Sequence, residues 1–219
     1  MSSFAGHCLA GLTAYVFPKR QSRGPAWWGL ALVGISSAPD IDYLIRGLRQ
    51  DVLAPPDPVS LALCNLIQLC PASNGAPARI THSIIGVLVV PVAVMLLLWL
   101  SGRFRGQWWT MSAQAAAAGL SHLLLDLMVD VSPMPLLWPF SYTLLKLPFG
   151  ILPSAPLISL TNFYFYRNLL IELGVLLPIA FVIYWLRHRY NHSYRQTLFI
   201  GALSLVSLGF MAWGYTLVR

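Results

Sequence analysis

The sequence has 219 residues, of which 57% are apolar and only 10% are charged, whereas ordinary soluble domains carry roughly 25% charged residues. A soluble domain is excluded, because so few charges cannot cover its surface. The net charge of +7 would suit nucleic-acid binding, but eight of the fourteen basic residues lie in three short loops between apolar segments. That pattern is typical of cytoplasmic loops of a membrane protein and excludes nucleic acid as a partner.

Six apolar segments predict an all-α fold, a polytopic integral membrane helix bundle of about six helices with interfacial segments between them. They cover residues 4–17, 25–38, 83–101, 109–129, 169–186 and 197–217. An α-helix is expected for each, because hydrocarbon offers no partner to a free backbone amide. The first two would be about 21 Å long, which is short for a bilayer core of about 30 Å, so they are tilted spans, thin spans or a partly re-entrant hairpin.

The chain is predicted to be a single membrane domain over residues 1–219. Residues 1–142 hold the motif-bearing helices and the start of an irregular flap, and residues 143–219 hold the rest of the flap and two C-terminal helices. The basic residues follow the first apolar segment and do not precede it, which favours an external N terminus. Alternation then leaves the long segments 39–82 and 130–168 on the outer side of a multi-pass protein.

The first outer segment contains an apolar stretch with few polar interruptions, residues 58–70. This composition predicts a helix that lies on the interface or dips into it. Cys64 and Cys70 fall in this stretch, where they are either an oxidised pair or two buried thiols.

The second outer segment carries six prolines among Leu, Trp and Phe residues between positions 132 and 160. Prolines at that density exclude a continuous helix. We expect an irregular apolar flap at the level of the lipid headgroups, with Trp138 and Phe140 as its membrane contacts. Such a flap would admit a lipid tail from the side.

Four local patterns place titratable side chains inside or beside the apolar segments. They are His7 in SFAGHCLAG, Asp40 and Asp42 in SAPDID, His82 in RITHS, and His122, Asp126 and Asp130 in SHLLLDLMVD. The topology derived from the basic loops brings all four patterns to the outer side of the bilayer. His122 and Asp126 also share one helix face, with Cβ atoms about 6 Å apart. We predict a metal site there, with His7, Asp40, Asp42, His82, His122 and Asp126 as ligands.

The donor types indicate which cofactor such a site would hold. Mixed imidazole and carboxylate ligands suit a divalent ion such as Zn²⁺, with Mn²⁺ or Fe²⁺ as alternatives, better than Ca²⁺. Taken singly, each motif could also be a helix cap or a hydrogen-bonded structural pair. Ionisable groups at membrane depth are costly and usually functional, which favours the metal site.

The chain resembles the LexA-binding, inner-membrane-associated hydrolase family, also described as membrane-bound metal-dependent hydrolases. The resemblance rests on the order of its motifs, which are a His-led first helix followed by PDID, THS, SHLLLD and PLLWPF. The resemblance covers residues 4–142. It implies a bacterial or archaeal inner-membrane protein with a metal-dependent hydrolase site at the six residues named above. One difference stands out: the family commonly has His-Arg-Gly before its Thr-His-Ser, where this chain has Pro77, Ala78 and Arg79.

The expected activity is hydrolysis of an ester, in particular a phosphoester on a membrane lipid or a lipid-linked substrate. Asp40, Asp42 or Asp130 would act as general base, and Arg79 would bind the phosphate or steady developing negative charge. Glu172 would be a further ligand, a proton carrier or part of an ion pair. The alternative is a non-enzymatic membrane protein, either a metal or proton carrier or a structural partner of a membrane complex. A carrier should have ionisable residues along a path across the bilayer, and the inner halves of the segments have essentially none.

Overall fold

The computed structural model is mostly helical in the residues that it describes. These are residues 4–18, 24–43, 49–51, 57–68, 70–71, 77–102, 105–129, 133–147, 150–153, 161–188 and 194–217. They contain the helices α1 (Phe4–Val16), α2 (Ala26–Ser37), α3 (Pro58–Ile67), α4 (Ile84–Leu100), α5 (Trp108–Leu127), α6 (Phe163–His188) and α7 (Tyr194–Thr216). Short 3-10 turns follow α2 and precede α4 and α5. The interfacial stretch forms α3, as a helix was predicted there.

The mostly helical fold agrees with the all-α prediction, and four short strands add to it. The strands are β1 (Arg49–Asp51), β2 (Cys70–Pro71), β3 (Pro77–Arg79) and β4 (Leu145–Lys146). The first pairs with the third and the second with the fourth, both antiparallel. Pairing of this kind satisfies backbone groups that lie outside the helices. Apolar periodicity carries no signal for strands of two or three residues.

The prediction of six spanning helices is not supported. Among the described residues, two helices are long and apolar enough to cross a membrane, within Phe163–Arg187 and Gln196–Thr216. Helices α1 and α2 have 13 and 12 residues, or about 20 and 18 Å at 1.5 Å per residue. Helix α5 has 20 residues, but its polar side chains lower its hydropathy. The shorter apolar helices therefore pack on one another, and they are not long enough by themselves to cross a membrane.

Helix α5 lies at the centre of the packing and contacts α1, α2 and α4. One buried cluster joins α2 to α5 and α4 through Trp28, Leu32, Met95 and Met111. A second joins α4 and α5 to the Pro-rich segment, whose described part contains no helix. Helix α6 packs on α1 and α7. This arrangement brings the ends of α1, α2, α4 and α5 together.

A glutamine in the centre of α5 ties three helices together. The Trp28 indole N–H donates to Gln114 Oε1 at 3.0 Å, and Gln114 Nε2 donates to the backbone oxygens of Ala14 at 2.9 Å and Tyr15 at 3.1 Å. The carbonyls at the end of α1 and the N–H of a fully buried Trp are thereby satisfied.

Replacing Gln114 with leucine should destabilise the fold, because the Trp28 N–H would lose its acceptor inside the protein. The cost of a buried unsatisfied group is about 1–3 kcal/mol. Thermal unfolding in detergent measures it, and Ala113→Leu, which adds bulk at the exposed neighbouring position, is the control. Equal melting temperatures for the two variants would contradict the structural role of the amide.

A disulfide stabilises segment 39–82, and a carboxylate joins this segment to the Pro-rich one. Cys64 and Cys70 form a disulfide, which resolves the alternative between a pair and two thiols. Asp57 caps α3, and its carboxylate accepts hydrogen bonds from the hydroxyls of Ser141 and Thr143 in the Pro-rich segment. Hydrogen bonds from the Ser141 hydroxyl and from the α3 backbone hold the pKa of Asp57 well below its usual range. This carboxylate remains ionised and keeps the flap against α3.

Candidate metal centre

Four chain segments bring the predicted ligands together in one buried cluster. These residues lie on α1, in the turn after α2, in the turn before α4 and near the end of α5: His7, Asp40, Asp42, His82, His122 and Asp126. All are buried except Asp40, whose side chain is 23% exposed. The cluster therefore reaches the outside through Asp40.

The Thr-His-Ser sequence has a local structural explanation. Ser83 caps α4 by accepting from the Gly86 N–H at 2.9 Å, and its hydroxyl donates to the carbonyl of Ile80 at 2.8 Å. Thr81 Oγ1 lies 3.0 Å from His82 Nδ1. The two hydroxyls thus stabilise the start of the helix and the orientation of the imidazole between them.

The hydrogen bond behind His122 determines which of its nitrogens faces the cluster. His122 Nδ1 lies 2.8 Å from the carbonyl oxygen of Ser36, and a carbonyl only accepts, so Nδ1 carries the proton. The His122 ring consequently presents the lone pair of Nε2 to the interior of the cluster. His82 is oriented by Thr81 Oγ1, 3.0 Å from its Nδ1, with Asp42 Oδ2 at 3.5 Å from the same atom. Metal-binding histidines show this arrangement, with the far N–H held by a carbonyl or a carboxylate.

Four acceptor atoms converge on a common point. The two Nε2 atoms of His82 and His122 are 3.1 Å apart. From His82 Nε2, Asp40 Oδ1 lies at 3.5 Å and Asp126 Oδ2 at 3.3 Å. From His122 Nε2, the same two oxygens both lie at 3.7 Å. Lone pairs and carboxylates at these distances repel one another unless positive charge lies between them.

These distances fit a bound divalent ion. Ligands about 2.0–2.1 Å from a tetrahedral zinc are about 3.3–3.4 Å apart from one another, close to the spacing of the four atoms. Asp40 Oδ1 and both oxygens of Asp42 are buried and accept no hydrogen bond from the described residues. The cluster has three carboxylates and one guanidinium, and a divalent cation would balance the remaining charge of its ionised form.

Asp42 and Arg79 lie beside the four converging atoms. Asp42 Oδ2 faces His82 Nδ1, on the other side of the ring from Nε2, and Arg79 Nε lies 3.7 Å from the same oxygen. Arg79 Nη2 lies 3.8 Å from Asp126 Oδ2. These positions suit an orienting role for Asp42 in place of the predicted ligation, and they put the guanidinium within reach of a substrate bound at the cluster.

Two further predicted residues have different outcomes. Asp130, predicted as a possible general base, lies outside the described residues. Glu172 of α6 is buried and packs against Gly6, the chain neighbour of His7; a Cβ at Gly6 would clash with the Glu172 carboxylate. Glycine at this position lets α6 bring a carboxylate next to the cluster.

Ser36 is a positioning residue that the sequence analysis did not identify. Its hydroxyl lies 2.7 Å from the carbonyl of His7, and its own carbonyl accepts from His122. One residue of α2 therefore sets the relative position of two predicted ligands on α1 and α5. The available signal was a small polar residue in an apolar helix, four positions before Asp40.

Replacing Ser36 with alanine should weaken metal binding by about tenfold to a hundredfold, the usual effect of removing an outer partner of a ligand. The dissociation constant would be measured by competition with a chelator. Ser37→Ala, the same change one residue later, should leave it within about twofold. Equal effects of the two changes would contradict a specific role for Ser36.

Comparison with known proteins adds one match. Residues 1–191 match the model of the family described as YdjM inner membrane protein. No curated protein and no solved structure matches the chain. The match confirms the predicted inner-membrane family, whereas LexA-linked regulation and hydrolase activity stay predictions.

Proposed function

The chain belongs to the YdjM inner membrane protein family, and we propose that it is a metal-dependent hydrolase that cleaves a phosphoester of a membrane lipid or a lipid-linked substrate. The observation that carries the proposal is the convergence of the four acceptor atoms of His82, His122, Asp40 and Asp126 at 3.1–3.7 Å. Ligand atoms around a single tetrahedral ion have a similar spacing. Bound metal, with Zn²⁺ favoured, would supply a water of lowered pKa and polarise a phosphoryl oxygen.

The chain's own residues have distinct roles in this proposal. His82, His122, Asp40 and Asp126 would hold the ion, and Asp42 would orient His82. Asp40 is the partly exposed carboxylate of the cluster, so the attacking water would enter beside it. Arg79 would donate to the phosphoryl oxygens from its position beside Asp126.

An apolar groove beside the cluster supports a lipid substrate. It has a volume of about 420 Å³ and lies between α1, α5 and α6. Its outer end is formed by Gly6, Ser121 and Leu125, the immediate chain neighbours of three cluster residues. From there to Phe17 it follows α1 for about 16 Å at 1.5 Å per residue.

Two side chains that line the groove carry hydroxyl groups, and both hydroxyl groups already donate hydrogen bonds. The Thr13 hydroxyl donates to the carbonyl of Leu9 at 2.7 Å, and the Ser121 hydroxyl donates to the carbonyl of Ala118 at 2.8 Å. Both are satisfied within their own helices. The surface that remains suits a hydrocarbon chain whose phosphoester end lies at the cluster.

Filling the groove should impair cleavage of long-chain substrates. Ala117 of α5 lines this groove, whereas Ala116 lines a separate groove against α4. Ala117→Phe should lower kcat/KM for a long-chain lipid phosphoester by at least about tenfold, equivalent to two buried methylenes at about 0.8 kcal/mol each. Ala116→Phe is the matched control, and a short-chain water-soluble phosphoester should be cleaved equally by both variants. Equal losses on the long-chain substrate would contradict a role for this groove.

The orientation of the site is also part of the proposal. The Cys64–Cys70 disulfide suits the oxidising side of the membrane, and the basic loops of the sequence suit the cytoplasmic side. Both support a position of the cluster at the periplasmic face. Labelling of an introduced surface cysteine with a membrane-impermeant reagent would test this orientation.

The central experiment combines metal analysis with a substrate screen. Detergent-purified protein from metal-supplemented cells should contain stoichiometric divalent metal and release phosphate or a phosphorylated headgroup from a panel of lipid phosphoesters. His122→Ala should lose both. Metal without hydrolysis of any substrate in the panel would favour the alternative of a carrier or structural partner. Wild-type protein without metal would end the proposal.

A further inference from the structure

The two carboxylates at the centre of the cluster each face two sets of imidazoles. We propose that the site binds two divalent ions bridged by Asp40 and Asp126, with His82 and His122 on the first ion and His7 on the second. This inference rests on the proposed function, because it specifies the metal content of the same site. It goes further in assigning the two oxygens of each carboxylate to different ions.

The distances separate the oxygens into two groups. Asp40 Oδ1 and Asp126 Oδ2 are the oxygens near the Nε2 atoms of His82 and His122. The opposite oxygens face His7: its Nε2 lies 3.7 Å from Asp40 Oδ2 and 3.6 Å from Asp126 Oδ1. Both carboxylates therefore present one oxygen to each side, as two bridging ligands would.

Two imidazoles of the cluster stack on each other. The rings of His7 and His122 are stacked, with centroids 4.0 Å apart and an angle of 15° between their planes. Their Nε2 atoms face the same two carboxylates, and the ligand atoms of these four residues all lie within 4.8 Å of one another. The two imidazoles therefore lie side by side and face different oxygens of the same two carboxylates, as the ligands of two adjacent ions would.

The charge of the cluster accommodates a second ion. Asp40, Asp42 and Asp126 supply three negative charges, Arg79 supplies one positive charge, and Glu172 lies next to the His7 side through Gly6. With all of these groups ionised, either one or two divalent ions leave a net charge of a single unit, so charge does not oppose the second position. The partly exposed Asp40 leaves an outer face where the two ions would share one phosphoryl group.

The test is the metal content of the full-length protein in detergent. Wild-type protein should bind about two ions per chain, and His7→Ala should retain about one. Cys8→Ala changes the next residue of the same helix and should retain two. A manganese-loaded wild-type sample should give the electron paramagnetic resonance spectrum of an exchange-coupled pair, and His7→Ala that of isolated ions.

The outcomes distinguish this inference from the proposed function. Wild-type protein that saturates at one ion, with the spectrum of isolated manganese, would overturn the second position and leave a single-metal hydrolase. Wild-type protein that binds none would overturn both. If His7→Ala fails to fold, the spectrum of the wild-type protein decides alone.

Discussion

Replacing Asp126 with asparagine should remove the bound metal and, with it, the activity. The carboxylate lies within 3.3–3.7 Å of the Nε2 atoms of His7, His82 and His122. It therefore lies next to all three imidazoles of the cluster. The asparagine amide is uncharged, and its N–H₂ group would point donors at a cluster that binds a cation through lone pairs. Removing an outer partner costs about 10–100-fold, so losing this central ligand should lower kcat/KM by more than about 100-fold.

A second aspartate provides the control for this change. Asp57 is also hydrogen-bonded within the fold, but its partners are on α3 and the Pro-rich segment. Asp57→Asn should keep the metal content of wild type, even where it lowers the melting temperature. Elemental analysis and thermal unfolding of both variants separate loss of the site from loss of the fold. Retention of stoichiometric metal by Asp126→Asn would contradict the proposed site.

Replacing Gly119 with alanine should damage the site without touching a ligand. Gly119 lies on α5, one turn before His122, and a Cβ there would lie 2.6 Å from the Val87 carbonyl oxygen and 3.1 Å from Pro91 Cγ. Helix α4 would have to move away from α5, and His82 immediately precedes α4. Overpacking of this kind costs about 1–3 kcal/mol, and metal affinity should fall by about tenfold or more as the two imidazoles separate.

Gly34 offers a matched glycine in open space. No atom lies within 4 Å of a Cβ built there, and it occupies the interior of α2. Gly34→Ala should be neutral or stabilising by up to about 1 kcal/mol, because alanine favours the helix more than glycine does. Thermal unfolding and chelator competition on both variants measure the two effects. A destabilised Gly34→Ala beside an unaffected Gly119→Ala would contradict the close approach of α4 and α5.

The clustering of ionisable residues was predictable because of the cost of ionisable groups in apolar segments. His7, His82, His122 and Asp126 stand out in runs of Leu, Ala, Val and Ile, and such groups are kept there when they have partners. Asp40 and Asp42 stand out after a proline at the end of an apolar run. The structure brings all of these residues into one cluster.

The roles within the set were less predictable. Asp42 was predicted as a ligand, yet it faces the Nδ1 atom of His82, and Ser36 was not identified although it contacts the backbone of His7. Both roles depend on atoms from other helices. A sequence pattern shows which residue types are present, but it does not show which nitrogen of a histidine faces a given side chain.

The number of spans illustrates a second difference. Apolar runs located helices at the six predicted segments. Helices α1, α2 and α4 are short, however, and α5 carries polar side chains in both halves, so two candidate spans remain in the described part of the chain. Hydropathy measures how apolar a segment is, and it does not show whether that apolar surface faces lipid or another helix. Pairing of the short outer strands was invisible for a similar reason, since each strand has only two or three residues.

Composition alone determined that this is a membrane protein, because a chain with 10% charged residues cannot cover a soluble surface, and helical spacing alone put His122 and Asp126 on one face. Packing between helices decided the rest. The tautomer of His122, the opposed lone pairs of the cluster and the two-sided presentation of its carboxylates all arise from contacts between α1, α2, α4 and α5. Such contacts join residues as distant in sequence as Ser36 and His122, which are 86 positions apart, and no local pattern encodes a distance of that kind.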